Sequence, residues 1–258
     1  MATITLDREG PVAILTLSNP PLNLFTAESW GELLEGVGEV EGSDARALVW
    51  RAEGDLFTGG VDVSNFQAVL DAGPDAAAEF GQPLIDGVRR LESLEIPTLA
   101  VVHGVCLTAG FEIALGCDWA SESAKFGLVE AVVGLTPGAG GTQRMAERAG
   151  PGRAREFVMT GGLFDAAVLE RWNVVNRVLP DDEITEKGMR FAHRLAEGPT
   201  KAHAATKRIV RGYLEGGVDE ADRVTPGQFA ELFATEDLQG AVASFLAEGP
   251  GKAKFQGR

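Results

Sequence analysis

The sequence is poor in cysteine, histidine and basic residues, and it lacks any long uncharged run. Its 258 residues include two cysteines, Cys106 and Cys117, both in one short segment. A disulfide framework or a zinc site needs more, so both read as reduced core residues. The three histidines, His103, His193 and His203, are not grouped with enough carboxylates or cysteines to form a ligand set, and no metal site is expected. His103, at a strand end, reads as a packed or hydrogen-bonded histidine rather than a catalyst. The longest stretch without a charge lies between Glu9 and Glu28 and contains Pro11, Pro20 and Pro21. It is shorter than the roughly 20 residues that span a bilayer. The start, MATITLDREGPVAILTL, alternates like a strand and has no basic segment ahead of an apolar one. A cytoplasmic protein with no membrane partner is therefore expected. Lys and Arg number 23 against 38 Asp and Glu, a formal net charge of −15 that repels polyanions and argues against a nucleic-acid partner. Nucleotide loops are absent as well. GAGGTQR from Gly138 lacks the Lys and Ser/Thr of a P-loop and the spacing of G-x-G-x-x-G, and no G-x-S-x-G elbow occurs.

What is present suits one large domain, or one domain with an appendage: 45% hydrophobic and 24% charged residues. TITLD and VAILTLS, around Gly10-Pro11, read as two strands, and NPPLN breaks the chain. Thr26 is a plausible N-cap for a helix that places Trp30, Leu33, Leu34 and Val37 on one face. A buried strand at 45–52, a Gly- and Asp-rich loop, a helix around 75–95 and the strand TLAVVHG follow. This order predicts α/β layering with parallel strands joined by helical crossovers. Beyond about residue 140 the pattern turns helical, interrupted by VVNRVLP, and ends in three or four amphipathic helices.

HGVCLTAGFEIALGCD, residues 103–118, ends on Asp118 and carries one acid within its apolar run, Glu112, in surroundings apolar enough to be buried. A buried, unpartnered carboxylate costs several kcal/mol or stays neutral. If a helix starts near Thr108 as N-cap, Ala109 and Gly110 lie in its first turn, where N–H groups have no intrahelical acceptor. Glu112, three residues after Ala109, shares a face with that N–H, so one turn supplies both an oxyanion donor and a base. The other reading is structural: Glu112 caps its own helix or joins a buried pair. Glu130, the only charge between Lys125 and Arg144, is either a surface residue at a strand end or the second member of a working carboxyl pair.

The chain resembles the crotonase superfamily, the enoyl-CoA hydratases and isomerases. LSNPPLN, FTGGVD at 57–62, HGVCLTAGFEIALGCD, KFGLVEAVVGLTPGAGGTQR and the terminal FQGR occur in that family's order and spacing. The resemblance implies a crotonase-like spiral of ββα units over 1–195 and a helical C-terminal oligomerisation region over 196–258, in trimers or dimers of trimers. It implies an acyl-CoA thioester substrate, with CoA as part of the substrate and no separate cofactor. The thioester oxygen is expected at the backbone N–H groups of Val61 and Ala109. Glu112 and Glu130 are expected as the catalytic pair, and Gly138 N–H as a group that positions water. Gly60, Asp62 and Gly110 are expected around the substrate, Gly60 because glycine lets the loop approach closely, with Asp62 shaping the loop.

By the same resemblance the activity is an enoyl-CoA hydratase. The alternatives are a Δ3,Δ2-enoyl-CoA isomerase that uses Glu130 alone and a non-catalytic acyl-CoA-binding protein. Two departures stand out: Thr108-Ala109 where many hydratases carry two glycines, and GLVE where G-x-P-E is frequent. Lys252, Lys254 and Arg258, beside Phe255, are candidates for the CoA phosphates and adenine. Phe66, Val69, Leu70, Phe80 and Leu84 suit either an acyl tunnel or plain core.

Overall fold

Near-continuous apolar runs in the first half of the chain, VAILTL, ALVW and TLAVV, produce strands that are buried on both faces. A computed structural model describes residues 3–115 and 119–258, with all their side chains but that of Asn65. Cys106 is buried and free, whereas Cys117 lies outside the described residues. The strands are β1 (Ile4–Glu9), β2 (Val12–Leu17), β3 (Ala47–Ala52), β4 (Thr98–Val102), β5 (Val105–Leu107), β6 (Trp119–Ser121), β7 (Lys125–Gly127), β8 (Phe164–Asp165) and β9 (Arg177–Leu179). The helices are α1 (Ala27–Glu41), α2 (Phe66–Ala72), α3 (Pro74–Ser93), α4 (Thr108–Ala114), α5 (Gly141–Thr160), α6 (Ala166–Arg171), α7 (Ile184–Ala196), α8 (Thr200–Leu232) and α9 (Glu236–Glu248).

One sheet runs β1-β2-β3-β4-β6-β9, antiparallel only between β1 and β2. A second joins β5, β7 and β8. Side chains of the first sheet alternate between two cores, as the twofold period of a strand requires. Leu15, Leu48, Trp50, Ala100 and Val102 pack with Leu33 and Val37 of α1 and with Phe111 and Ile113 of α4. Val12, Ile14, Val49, Leu99 and Val101 pack with Ile184, Ala192 and Ala196 of α7. Helices thus cover both faces, the usual arrangement for parallel strands.

Thr26 is the N-cap of α1: its hydroxyl accepts from Ser29 N, and Ser29 Oγ accepts from Thr26 N at 2.8 Å. Two elements differ from expectation. The strand expected at 98–104 stops at Val102, and β5 follows where a plain turn was expected; three residues are too short to show an alternation. α2 precedes the expected helix and has no buried residue, and Leu70 is 72% exposed. Plain core is therefore excluded for Leu70. α8 leaves helical geometry at Gly216 and Gly217. Among the described residues no helix is long and apolar enough to cross a membrane.

The C-terminal tail is held by one carboxylate. Asp237, 5% exposed, accepts from Gln256 N and Gly257 N at 2.5 and 2.8 Å, and its own N–H donates to Arg258 O. Arg46 Nη1 adds a bond to Phe255 O. Asp237→Ala removes an acceptor worth roughly 1–3 kcal/mol. Hydrogen exchange at the Gln256 and Gly257 amides should speed up about tenfold or more; unchanged protection would mean that other contacts hold the tail.

Candidate active site

The FTGGVD loop is clamped from two sides. Asn23, buried at φ +49°, donates through Nδ2 to Glu53 O and Leu56 O at 2.7 and 3.0 Å. Thr58 Oγ1 donates to Asn23 O at 2.6 Å and accepts from Gly60 N at 2.9 Å. Phe25 N donates to Gly60 O, and Asp62 N to Phe25 O. On the other side Thr58 N donates to Val105 O and Leu107 N to Thr58 O. This clamp carries Val61 to the first turn of α4, where its N–H meets the Thr108 hydroxyl.

At that turn stands Thr108. The N-cap of α4 is Leu107, not Thr108 as the sequence suggested, and Thr108 is the first helical residue with φ +47°. Its hydroxyl accepts from Val61 N at 3.2 Å instead of capping the helix. A non-glycine residue in this backbone region costs about 1–3 kcal/mol. Gly60, at φ +102°, faces this side chain: a Cβ there would lie 2.1 Å from Thr108 Oγ1. A Cβ on Gly110 would likewise lie 2.1 Å from Thr58 Cγ2. The close approach at these two glycines is thus made by the protein's own threonines. Asp62 Oδ1 accepts from Ser64 N at 3.0 Å, and these Ser64 contacts hold its carboxyl below the usual range.

Glu112 is 2% exposed. It does not cap its own helix; Oε1 accepts from Ala139 N at 2.9 Å and Gly141 N at 2.8 Å, in the turn before α5. Gly140, at φ +102°, makes that turn, and a Cβ on Gly141 would fall 2.7 Å from Glu112 Cγ. Arg144, 8% exposed, braces the turn: Nη1 donates to Gly140 O at 3.2 Å, and Nε and Nη2 grip both oxygens of Glu92 on α3 at 2.6 Å. Burial pushes the Glu112 carboxyl up to about 7; the Gly141 N–H opposes this, the Glu130 charge adds to it, and Ala139 N–H and Arg144 oppose it.

Glu130 opens a short 3-10 turn, Glu130–Val133, and is half-buried rather than a free surface residue. Its Oε2 is buried with no hydrogen-bond partner among the described residues. Burial raises its carboxyl, against its own N–H. Gly138 is exposed, and the bonds to Glu112 come from its neighbours. Ala139, Gly141, Arg144 and Glu92 were missed in the sequence; the available signal was a glycine-rich turn leading into a helix, whose first N–H groups need acceptors. A cavity of about 550 Å³, lined by Val49, Val101, Asp181 and Met189 among others, lies on the α7 side of the sheet and holds neither acid. At its rim His103 Nε2 is 2.9 Å from Gly54 O. Arg258, one of the three expected phosphate ligands, pairs with Glu236 at 2.9 Å.

The raised Glu112 pKa sets a sign for stability. Below pH 4.5 the carboxyl is neutral in both states; between 4.5 and about 7 only the unfolded chain ionises, and native stability falls. The whole effect is about 3 kcal/mol. Glu112→Gln keeps an oxygen for the two N–H groups and cannot ionise. From pH 5 to pH 8 its melting temperature should move in its favour relative to the wild type, by up to that equivalent. A pH-independent difference would show that the native carboxyl is not shifted.

The family described as enoyl-CoA hydratase/isomerase matches residues 7–258. A "Probable enoyl-CoA hydratase" of Rhizobium meliloti is 33% identical over 260 residues, 99% of this chain and 98% of that one. A "Short-chain-enoyl-CoA hydratase" of Clostridium acetobutylicum is 31% identical over 259 residues, covering 98% and 97%. A crystal structure of an enoyl-CoA hydratase subunit I from Geobacillus kaustophilus HTA426 superposes with a TM-score of 0.90 at 33% identity, covering 99% and 98%. This chain therefore belongs to the enoyl-CoA hydratase/isomerase family of the crotonase superfamily.

Proposed function

We propose that the protein is an enoyl-CoA hydratase that adds water across the 2,3 double bond of a 2-enoyl-CoA thioester, with CoA as part of the substrate. The observation that carries this reading is the buried Glu112, on the helix whose first turn meets Val61 and held by the Ala139 and Gly141 N–H groups, with the Oε2 of Glu130, unpartnered among the described residues, buried as a second acid. Ionised Glu112 takes a proton from water as the water oxygen bonds to C3. The π electrons move through C2 to the thioester oxygen, which the Val61 and Ala109 N–H groups stabilise. Protonated Glu130 then delivers a proton to C2 and the thioester re-forms. Gly138 N–H is the proposed aid to water, and Gly60, Asp62 and Gly110 shape the surrounding loop and turn.

A carboxyl with a pKa near the working pH suits proton transfer in both directions. Hydration is favoured over isomerisation because Glu112, which a single-acid isomerase does not need, is kept buried at an energetic cost. The exposed Phe229, Phe233, Phe245 and Leu246 of α8 and α9 are the surface we assign to a homotrimer contact; a monomeric sedimentation coefficient at micromolar concentration would exclude it.

Glu112→Gln should lower the hydration kcat by about 10²- to 10⁴-fold, read as the loss of conjugated thioester absorbance. An isomerase would keep most of its turnover in this variant, and a binding protein would show no hydration even as wild type. In the wild type, kcat/KM should rise with pH through about 7, because the base must be ionised. A limb that falls across this range would contradict Glu112 as base.

A further inference from the structure

The expected oxygen site has an occupant that neither the sequence motifs nor the family comparison assigns. Thr108 Oγ1 accepts the Val61 N–H at 3.2 Å, so this donor is already directed at an oxygen of the protein itself. A hydroxyl has one proton to give and two lone pairs. Here a lone pair is used, and the Thr108 proton has no acceptor among the described residues. The side chain is seated rather than loose: its Oγ1, Cβ and Cγ2 occupy the space that a Cβ on Gly60 would fill, at 2.1, 3.2 and 3.2 Å. Threonine is stiff at χ1 because two heavy atoms share Cβ.

The backbone adds a second observation. Among the described residues the non-glycine positions with positive φ are Asn23, Thr108 and Asn173. Asparagine tolerates this region, whereas a β-branched residue there is an outlier. Such an outlier persists where its surroundings fix it, and it is a reason to look for a role.

We propose that Thr108 is a catalytic residue: its hydroxyl, polarised by the Val61 N–H, donates its proton as a hydrogen bond to the thioester oxygen. The Val61 amide then acts through one hydroxyl, and Ala109 N–H acts directly. Hydrogen bonds in such a chain reinforce one another, so the relay strengthens as negative charge builds on the oxygen. No bond to hydrogen is broken in this role. The Thr108 proton stays on Oγ1, while the protons that move are those on water, Glu112 and Glu130. The inference rests on the hydratase reading above.

The test compares Thr108→Val, which keeps the branching and loses the hydroxyl, with Thr108→Ser, which keeps the hydroxyl. Thr108→Ala serves as a second hydroxyl-free variant if valine does not fold. With a short 2-enoyl-CoA, the valine and alanine variants should lose about 10²-fold in kcat with little change in KM, and serine should restore most of that loss. The second readout needs no turnover: the infrared carbonyl stretch of bound butyryl-CoA carrying a ¹³C carbonyl, which has no double bond to hydrate. Its shift to lower frequency should be larger in wild type and Thr108→Ser than in Thr108→Val. Equal kcat and equal shifts in all variants would overturn the role, and faster turnover in valine or alanine would show that the hydroxyl obstructs the site. If the wild type hydrates nothing but the carbonyl shift still depends on the hydroxyl, the hydratase reading and the catalytic role fall together, and only the hydrogen bond to the thioester oxygen stands. Absence of any bound thioester would remove both.

Discussion

The structure is organised around keeping one carboxyl, Glu112, out of water. Burial alone would hold it neutral; two main-chain N–H groups from the turn before α5 draw it back until it sits between its two protonation states near neutral pH. Those donors are useful only while the turn keeps its shape. That shape needs a positive φ at Gly140, no side chain at Gly141, and the Arg144 guanidinium on the Gly140 carbonyl. Arg144 is itself buried, and the bidentate bond to Glu92 satisfies its charge. A buried cation with one partner removed is strongly destabilising, so Glu92 supports the acid at a distance, through three links and from another helix.

The second constraint is rigidity of the loop opposite. Positions on loops are less well defined than positions on strands and helices. Here the 57–62 loop is treated almost as sheet, bonded along one side to residues 22–25 and along the other to β5. The Asn23 side chain closes the arrangement by reaching the carbonyls of residues 53 and 56. The proposed oxygen site therefore lies at a junction of three chain segments, each fixed by main-chain bonds.

Much of this was legible in the sequence where a residue's chemistry conflicted with its neighbours. Glu112 was conspicuous as a lone acid in an apolar run, and it is buried. Thr26 announced α1 because a capping hydroxyl preceded a clear apolar face. Parallel layering followed from the order of strands and helices. The rest depended on features that residue types do not encode. Ala139 and Gly141 act through N–H groups, which every residue but proline has. Thr108 was read as a cap because threonine caps helices well, and nothing in its identity signals a positive φ. β5 was too short to show a period, and α2 has no buried face to leave a pattern. Glu130 remained ambiguous because half-burial has no signature in sequence.

The contact between Gly60 and Thr108 has a consequence for how this protein can vary. The two positions form a steric lock with one permitted key: a side chain at 108 demands none at 60, and a side chain at 60 would force 108 to retreat. Glycine at 108 would remove that clash. Position 60 would still resist a side chain, because its φ of +102° strains one whatever the space.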